Sequence, residues 1–277
     1  MPLRRLGIIG AGGIAELALS TLAKELSRPL EQVSILVPAP FAAQANALLD
    51  RIGAALATTR VVRTELAGLL ADKPDIVAEC ASHIAVEEFG APILESGCDL
   101  IVISIGSLAD DSLRAKLELG AKRGCSRLVL PAGAIGGIDA LAAARLSGLD
   151  HVLYTGRKPP KAWRGTPAEE LLDLESLREP QIFFEGTARI AAQSYPFNAN
   201  VTATLALAGI GFDQTHVRLI ADPHVSSNVH EFEVRSGCGE FLIQLKGRPS
   251  ASNPKTSQMA GYSVARELLN RAGFVVI

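Results

Sequence analysis

The most constraining feature of this sequence is a glycine-rich turn that follows an apolar run near its start. Residues 6–15 read LGIIGAGGIA and lead directly into an alanine- and leucine-rich helical pattern. A strand, a G-x-G-x-x-G/A turn and a helix in this order are typical of a dinucleotide-binding βαβ unit. Gly10 permits the tight turn, Gly12 lets the backbone approach a pyrophosphate, and Ala15 allows the helix to pack closely on the strand.

We expect the N–H groups at the start of this helix to contact the phosphates, because the helix dipole favours negative charge there. The alternative is a tight turn that binds nothing. The strand before the turn and the helix after it favour a dinucleotide site over this alternative. Where an NAD-specific site carries an acidic residue after the second strand, this chain has Val37 and Pro38. No arginine follows at once to bind the 2′-phosphate of NADP either, so the sequence leaves the choice between NAD and NADP open. The expected cofactor contacts of the turn are Gly10, Ala11, Gly12, Gly13 and Ile14.

Length and composition fit a globular protein of two packed units, with 277 residues, 48% of them hydrophobic and 20% charged. A net charge of −2 without a lysine or arginine run argues against nucleic acid or an anionic membrane as a partner. The apolar run at the start is too short for a signal peptide or membrane span, which predicts a cytoplasmic protein. The four cysteines are scattered without C-x-x-C spacing, so no metal site is expected.

Strand and helix patterns alternate as far as Leu130, and the rhythm then changes to successive strands. We predict an α/β chain, with a Rossmann-type doubly wound parallel sheet and a second α+β domain built on a mainly antiparallel sheet. The predicted boundaries are 1–135 for the dinucleotide-binding domain and 136–255 for the catalytic and dimerisation domain. A last helix, 256–272, is expected to pack back on the first domain.

Two further turns follow predicted strands of the first sheet, where a doubly wound fold places its ligand crevice. The first contains Cys80, Ala81 and Ser82, which we expect to lie near the nicotinamide end of the cofactor. The neighbouring His83 begins a helix, so a capping or solvent-facing role is favoured over a catalytic one. The second turn, 131–137, is glycine-rich and could offer the amide of Ala134 to a ligand, or could simply be a loop.

Two polar residues of the second half are candidates for chemistry. His230 alternates with Phe232 and Val234 along a strand and therefore shares their buried face. Such a histidine is often only a hydrogen-bonded core residue, but its ordinary pKa suits proton transfer. Asn200 begins a predicted helix, where its amide could cap the helix or bind a carboxamide such as that of nicotinamide.

The sequence resembles the L-aspartate dehydrogenase family in segments that extend from the first strand to the last helix. They are GAGGIA (10–15), PAGAIGG (131–137), NANVTATLALAG (198–209), DP with NVH (222–223 and 228–230) and NPKTS (253–257). The resemblance implies oxidation of L-aspartate through iminoaspartate to oxaloacetate and ammonia with NAD or NADP. It also implies that the main chain of Ala134 and the side chain of Asn200 contact the cofactor, that His230 is catalytic, and that the protein is a homodimer.

The expected reaction is hydride transfer from the Cα of aspartate to nicotinamide, followed by attack of a water that His230 activates. The two carboxylates of the substrate need cationic or N–H partners, for which Lys255 and Thr256 are the candidates, with a solvated lysine as the alternative. The product imine could supply pyridine nucleotide biosynthesis. Two other functions stay open, namely a dehydrogenase or reductase of another small amino or keto acid and a cofactor-sensing protein without catalysis.

Overall fold

The computed structural model describes residues 3–195, 199–248 and 257–276. Contacts between its residues divide the chain into two units. One comprises Met1–Pro131 with Ala260–Ile277, and the other comprises Ala132–Met259. The first unit is therefore discontinuous in sequence, because the end of the chain returns to it.

The first unit contains a six-stranded parallel sheet of strand order β3-β2-β1-β4-β5-β6. This order is that of the Rossmann fold, and it confirms the predicted doubly wound sheet. The strands are short apolar runs, as expected where helices cover both faces. They are β1 Arg5–Ile9, β2 Leu30–Leu36, β3 Ala57–Arg63, β4 Ile76–Glu79, β5 Asp99–Val102 and β6 Leu128–Val129.

Side chains cap two of the helices of this unit. Ser82 Oγ accepts a hydrogen bond from the N–H of Ala85, and Asp110 accepts from the N–H groups of Ser112 and Leu113. These bonds satisfy N–H groups that the first turn of a helix leaves without a partner. The helices are α1 Gly13–Glu25, α2 Ala42–Ile52, α3 Leu66–Ala71, α4 His83–Glu95 and α5 Asp111–Gly124.

The last helix of the chain, α10 Gln258–Ala272, completes the core of the first unit. Its Val264 and Leu268 are fully buried in one apolar cluster with Leu19 and Leu22 of α1. The backbones approach closely at Gly261, where a Cβ atom would lie 2.8 Å from a methyl group of Leu17. The helix therefore packs against α1 as an integral part of this unit.

The second unit contains a five-stranded sheet of order β11-β10-β7-β9-β8. Three of its four strand pairs are antiparallel, and β7 pairs in parallel with β9. The expectation of a mainly antiparallel sheet is confirmed, although β9 and β10 are not neighbours despite following each other in sequence. The strands are β7 Leu149–Lys158, β8 Gln181–Thr187, β9 His216–Ala221, β10 Val229–Ser236 and β11 Gly239–Lys246.

One face of this sheet is apolar and buried, with Val152, Phe232 and Val234 almost fully enclosed. The alternation of β10 thus predicts its buried face correctly, since residues two apart on a strand share a face. The helices of the unit are α6 Ile138–Ala144, α7 Ala168–Leu171, α8 Ala188–Ser194 and α9 Ala199–Ala208.

Candidate active site

The glycine-rich turn between β1 and α1 has the backbone that a dinucleotide requires. Gly10 has a φ of +95°, and a Cβ atom there would lie 2.9 Å from the carbonyl oxygen of Cys80. Gly12 precedes α1 without a side-chain cap, and a Cβ atom at Gly12 would meet nothing within 4 Å. The first N–H groups of α1 are thus open to an anion, as a diphosphate site needs.

A cleft of about 620 Å³ lies beside this turn. Gly10 lines it together with Ala81 and Ser82 of the turn after β4, two of the three residues predicted there. The third, Cys80, is buried and belongs to the apolar cluster of the first unit, so its side chain is a core element. Ile84 gives the cleft an apolar wall and is 70% exposed. The remaining lining is Ile9, Leu36, Val37, Pro38, Thr64, Glu65, Leu66, Ala67, Ala85, Glu88 and Phe89.

A buried carboxylate holds the turns after β4 and β5 in place. Glu79 is the last residue of β4 and is fully buried. It accepts hydrogen bonds from the N–H of Ala81 at 2.7 Å, from the N–H of Ser104 at 3.1 Å and from Ser104 Oγ at 3.0 Å. Burial raises the pKa of Glu79 from its ordinary value, against the opposing effect of these donors. The carboxyl group therefore fixes the position of Ala81 at the cleft.

His83 is the first residue of α4, and the side chain that caps this helix is that of the preceding Ser82. The prediction that His83 is an ordinary helix-start residue is compatible with this position, but the capping role belongs to Ser82.

His230 lies on the buried face of β10, with 5% of its surface exposed. Its Nδ1 is 2.8 Å from the hydroxyl oxygen of Tyr154, which is itself buried on β7. Burial, with a smaller effect from the positive charge of Lys158, lowers the pKa of His230 to about 3. Burial also raises the pKa of Tyr154, so the pair consists of a neutral imidazole and a neutral phenol at physiological pH.

Two residues near His230 were not among those predicted from the sequence, Tyr154 and Lys158. Both belong to β7, and burial lowers the pKa of Lys158 to about 8. Their separation by four residues places them on one face of the strand, which is a signal that the sequence did contain. The register that pairs β7 with β10 is what brings them to His230, and local sequence does not reveal it.

The other predicted residues of the second unit occupy the positions expected of them along the chain. Ala134 is half-buried in the turn before α6, and Asn200 is exposed in the first turn of α9. A Cβ atom on Gly137, in the same turn as Ala134, would lie 2.0 Å from a methyl carbon of Ile243. This glycine is therefore needed for packing against β11. Lys255 and Thr256 lie outside the described residues.

The described residues hold no group of three or more His, Cys, Asp or Glu side chains that could bind a metal ion. Within the same parts of the chain, none of the helices is long and apolar enough to cross a membrane.

Two protein-family models match this chain. Residues 139–271 match "Aspartate dehydrogenase, C-terminal", and residues 10–131 match "Homoserine dehydrogenase, NAD binding domain". The two matches meet close to the point where contacts divide the chain.

Curated relatives and solved structures agree with these matches. An L-aspartate dehydrogenase of Pseudomonas aeruginosa is 44% identical over 270 residues, which is 98% of each chain. An L-aspartate dehydrogenase of Cupriavidus taiwanensis is 54% identical over 74% of this chain and 77% of its own. The crystal structure of aspartate dehydrogenase from Thermotoga maritima covers all of both chains, with a TM-score of 0.72 and 25% identity.

Proposed function

Because this chain belongs to the L-aspartate dehydrogenase family, we propose that it oxidises L-aspartate through iminoaspartate to oxaloacetate and ammonia. It is an oxidoreductase of amino acids that uses NAD or NADP. The observation that carries the proposal is the 44% identity to an L-aspartate dehydrogenase over 98% of both chains. The turn of Gly10 and Gly12, with its open helix start, fits a dinucleotide independently of that likeness.

The chemistry that the cofactor would supply when bound is acceptance of the hydride that leaves the Cα of the substrate. Gly10, Ala11, Gly12, Gly13 and Ile14 would hold the diphosphate through backbone N–H groups. Ala81 and Ser82 would hold the cofactor from the other side of the cleft. The main chain of Ala134 and the amide of Asn200 would contact the nicotinamide portion, while Lys255 and Thr256 would bind substrate carboxylates.

His230 activates the water that attacks the imine carbon. A base must accept the water proton on one ring nitrogen while the other is protonated. In this proposal Nε2 is the base, and Nδ1–H donates to the Tyr154 oxygen across the observed 2.8 Å contact. After the transfer the imidazolium keeps the same hydrogen bond, which opposes rotation of the ring. The proton is then available to the departing ammonia.

The family also implies an oligomeric state, a cellular compartment and a metabolic role for the protein. We propose that it is a homodimer assembled through the second unit, that it acts in the cytoplasm, and that its imine product can supply pyridine nucleotide biosynthesis. A dimer in light scattering, with a monomer as the contrary result, tests the first of these.

The decisive experiment follows the absorbance of reduced nicotinamide with L-aspartate, with other L-amino acids, and with NAD or NADP. We expect L-aspartate to give the highest kcat/KM and other amino acids far lower values. A higher kcat/KM for another L-amino acid would assign a different dehydrogenase. Cofactor binding without turnover of any of these compounds would instead indicate a sensor.

A further inference from the structure

Three alternate positions of β7 lie on the face of the strand that His230 shares. Tyr154, Gly156 and Lys158 share a face of the strand, and His230 is the register partner of the middle one, Gly156. On its other side His230 is paired with Leu245 of β11, so β7 supplies the polar neighbours. The hydroxyl of Tyr154 contacts His230, and Lys158 follows two residues after Gly156 on the same face of the strand.

Gly156 allows this arrangement because it has no side chain. A Cβ atom at Gly156 would lie 2.9 Å from the hydroxyl oxygen of Tyr154 and 3.1 Å from a methyl group of Leu219. The ring of Tyr154 therefore extends along the strand over Gly156, in the direction of Lys158. The phenol and the imidazole are in contact, and Lys158 lies on the same face of β7. We call these three residues the β7 cluster (Tyr154, Lys158 and His230).

The ammonium of Lys158 is held over an aromatic face. Its Nζ lies 4.8 Å from the centre of the Trp163 ring, within the range of a cation–π interaction. Trp163 is fully buried, and its indole N–H donates to the carbonyl oxygen of Ile220 at 3.1 Å. The rigid indole thus positions the cation, and the positive charge of Lys158 contributes to the lowered pKa of His230.

We propose that Lys158 binds a carboxylate of the dicarboxylate substrate and holds the substrate against His230. The inference rests on the proposed function, because a dicarboxylate is what a cation beside the catalytic histidine would serve. An ammonium has three donors, and a charge-assisted hydrogen bond from one of them to a carboxylate is strong where water is largely excluded. The role is distinct from the one that the sequence predicts for Lys255.

Binding of the carboxylate has a consequence for the base. In the free enzyme the positive charge of Lys158 adds to burial in lowering the pKa of His230 to about 3. A bound carboxylate offsets that charge, so the imidazole becomes a stronger base when the substrate is present. The β7 cluster thereby couples occupancy of the site to the basicity of the catalytic residue.

The test compares Lys158→Met with Lys161→Met, which removes an exposed lysine three residues further along the chain. Succinate, a dicarboxylate that cannot be oxidised at an amino-bearing carbon, is titrated into each protein in the presence of NADH. We expect Lys158→Met to weaken succinate binding and raise the KM for L-aspartate about 10- to 100-fold, as for loss of one charged hydrogen bond. The NADH dissociation constant should change less than about twofold, and Lys161→Met should resemble the wild type.

Unchanged succinate affinity in a folded Lys158→Met protein would overturn the proposal. If that variant fails to fold, Lys158→Arg is compared with Lys158→Gln instead. Only the arginine keeps the positive charge, so an equal loss of succinate affinity in both variants would overturn the proposal. Wild-type protein that oxidises no L-aspartate would refute the proposed function instead. If the wild-type protein oxidises L-aspartate and Lys158→Met has a normal KM for L-aspartate, the role of Lys158 is refuted while the proposed function stands.

Discussion

Tyr154 and His230 are 76 residues apart in sequence, and the antiparallel register of β7 and β10 brings them together. Alternation along β10 suffices to place His230 on the buried face, because the period of a strand is two. The partner of the imidazole could not be predicted in the same way. It depends on which strand lies beside β10 and in which register, and neither is written in the residues around His230.

His230→Ala should lower kcat about 10²- to 10⁴-fold, the usual contribution of a general acid–base residue. The dissociation constant of NAD should change little, since the turn that would hold the diphosphate belongs to the other unit. His151→Ala is the matched control, because this histidine of β7 stacks on His216 and has no place in the mechanism. Steady-state kinetics and cofactor titration measure both quantities, and near-normal turnover in His230→Ala would exclude the catalytic role.

Tyr154→Phe keeps the ring of the tyrosine but removes the hydroxyl that contacts His230. Poorer orientation of the base should raise the activation free energy by about 1.4 kcal/mol, which corresponds to a tenfold lower kcat. KM should stay near its normal value. Gly156→Ala should have a similar effect, because its Cβ atom would displace the same hydroxyl. The control is Tyr262→Phe, whose side chain is 45% exposed. A kcat unchanged in both active-site variants would contradict the arrangement.

At the scale of elements, the first sheet could be predicted almost completely from the sequence. Its strands are apolar runs separated by helical patterns, and that alternation determines a parallel sheet. The second sheet could be predicted only as a class. The turn 236–238 identifies β10 and β11 as a hairpin. The parallel pairing of β7 with β9, in contrast, joins strands that have β8 and the helices α7, α8 and α9 between them.

From the residues that line the cleft of the first unit, we predict that NAD binds more tightly than NADP. Two carboxylates, Glu65 before α3 and Glu88 on α4, line it, and its described lining contains no lysine or arginine. The additional phosphate of NADP would be repelled by these groups, so NADP should bind at least about tenfold more weakly. Glu65→Gln should reduce the difference between the dissociation constants of NAD and NADP. Glu87 is exposed and does not line the cleft, so Glu87→Gln should leave that difference unchanged. Equal dissociation constants for the two cofactors in calorimetry would refute this prediction.

On the scale of the whole molecule, the return of α10 makes the stability of the first unit depend on the last part of the chain. The helical spacing of apolar residues predicts α10, and its buried face lies in the cluster with α1. The residue-level partners, such as Leu17 opposite Gly261, could not be predicted because they depend on how two distant helices cross.

Leu268→Ala should lower the free energy of unfolding by about 2–5 kcal/mol, because Leu268 is fully buried and its removal leaves a cavity. Met259→Ala, on the same helix but 42% exposed, should change it by less than about 0.5 kcal/mol. Urea denaturation measures both values. A cost below 1 kcal/mol for Leu268→Ala would mean that α10 contributes little to this core.

The discontinuity of the first unit also sets an order of events during synthesis. During translation, residues 132–259 are synthesised after β6 and before the part of α10 that enters the core of the first unit. At 5–20 residues per second the nascent Rossmann sheet waits roughly 6 to 26 s with the apolar side of α1 uncovered. The nucleotide-binding half, although made first, is thus the last to be completed, and the half made second has already left the ribosome by then.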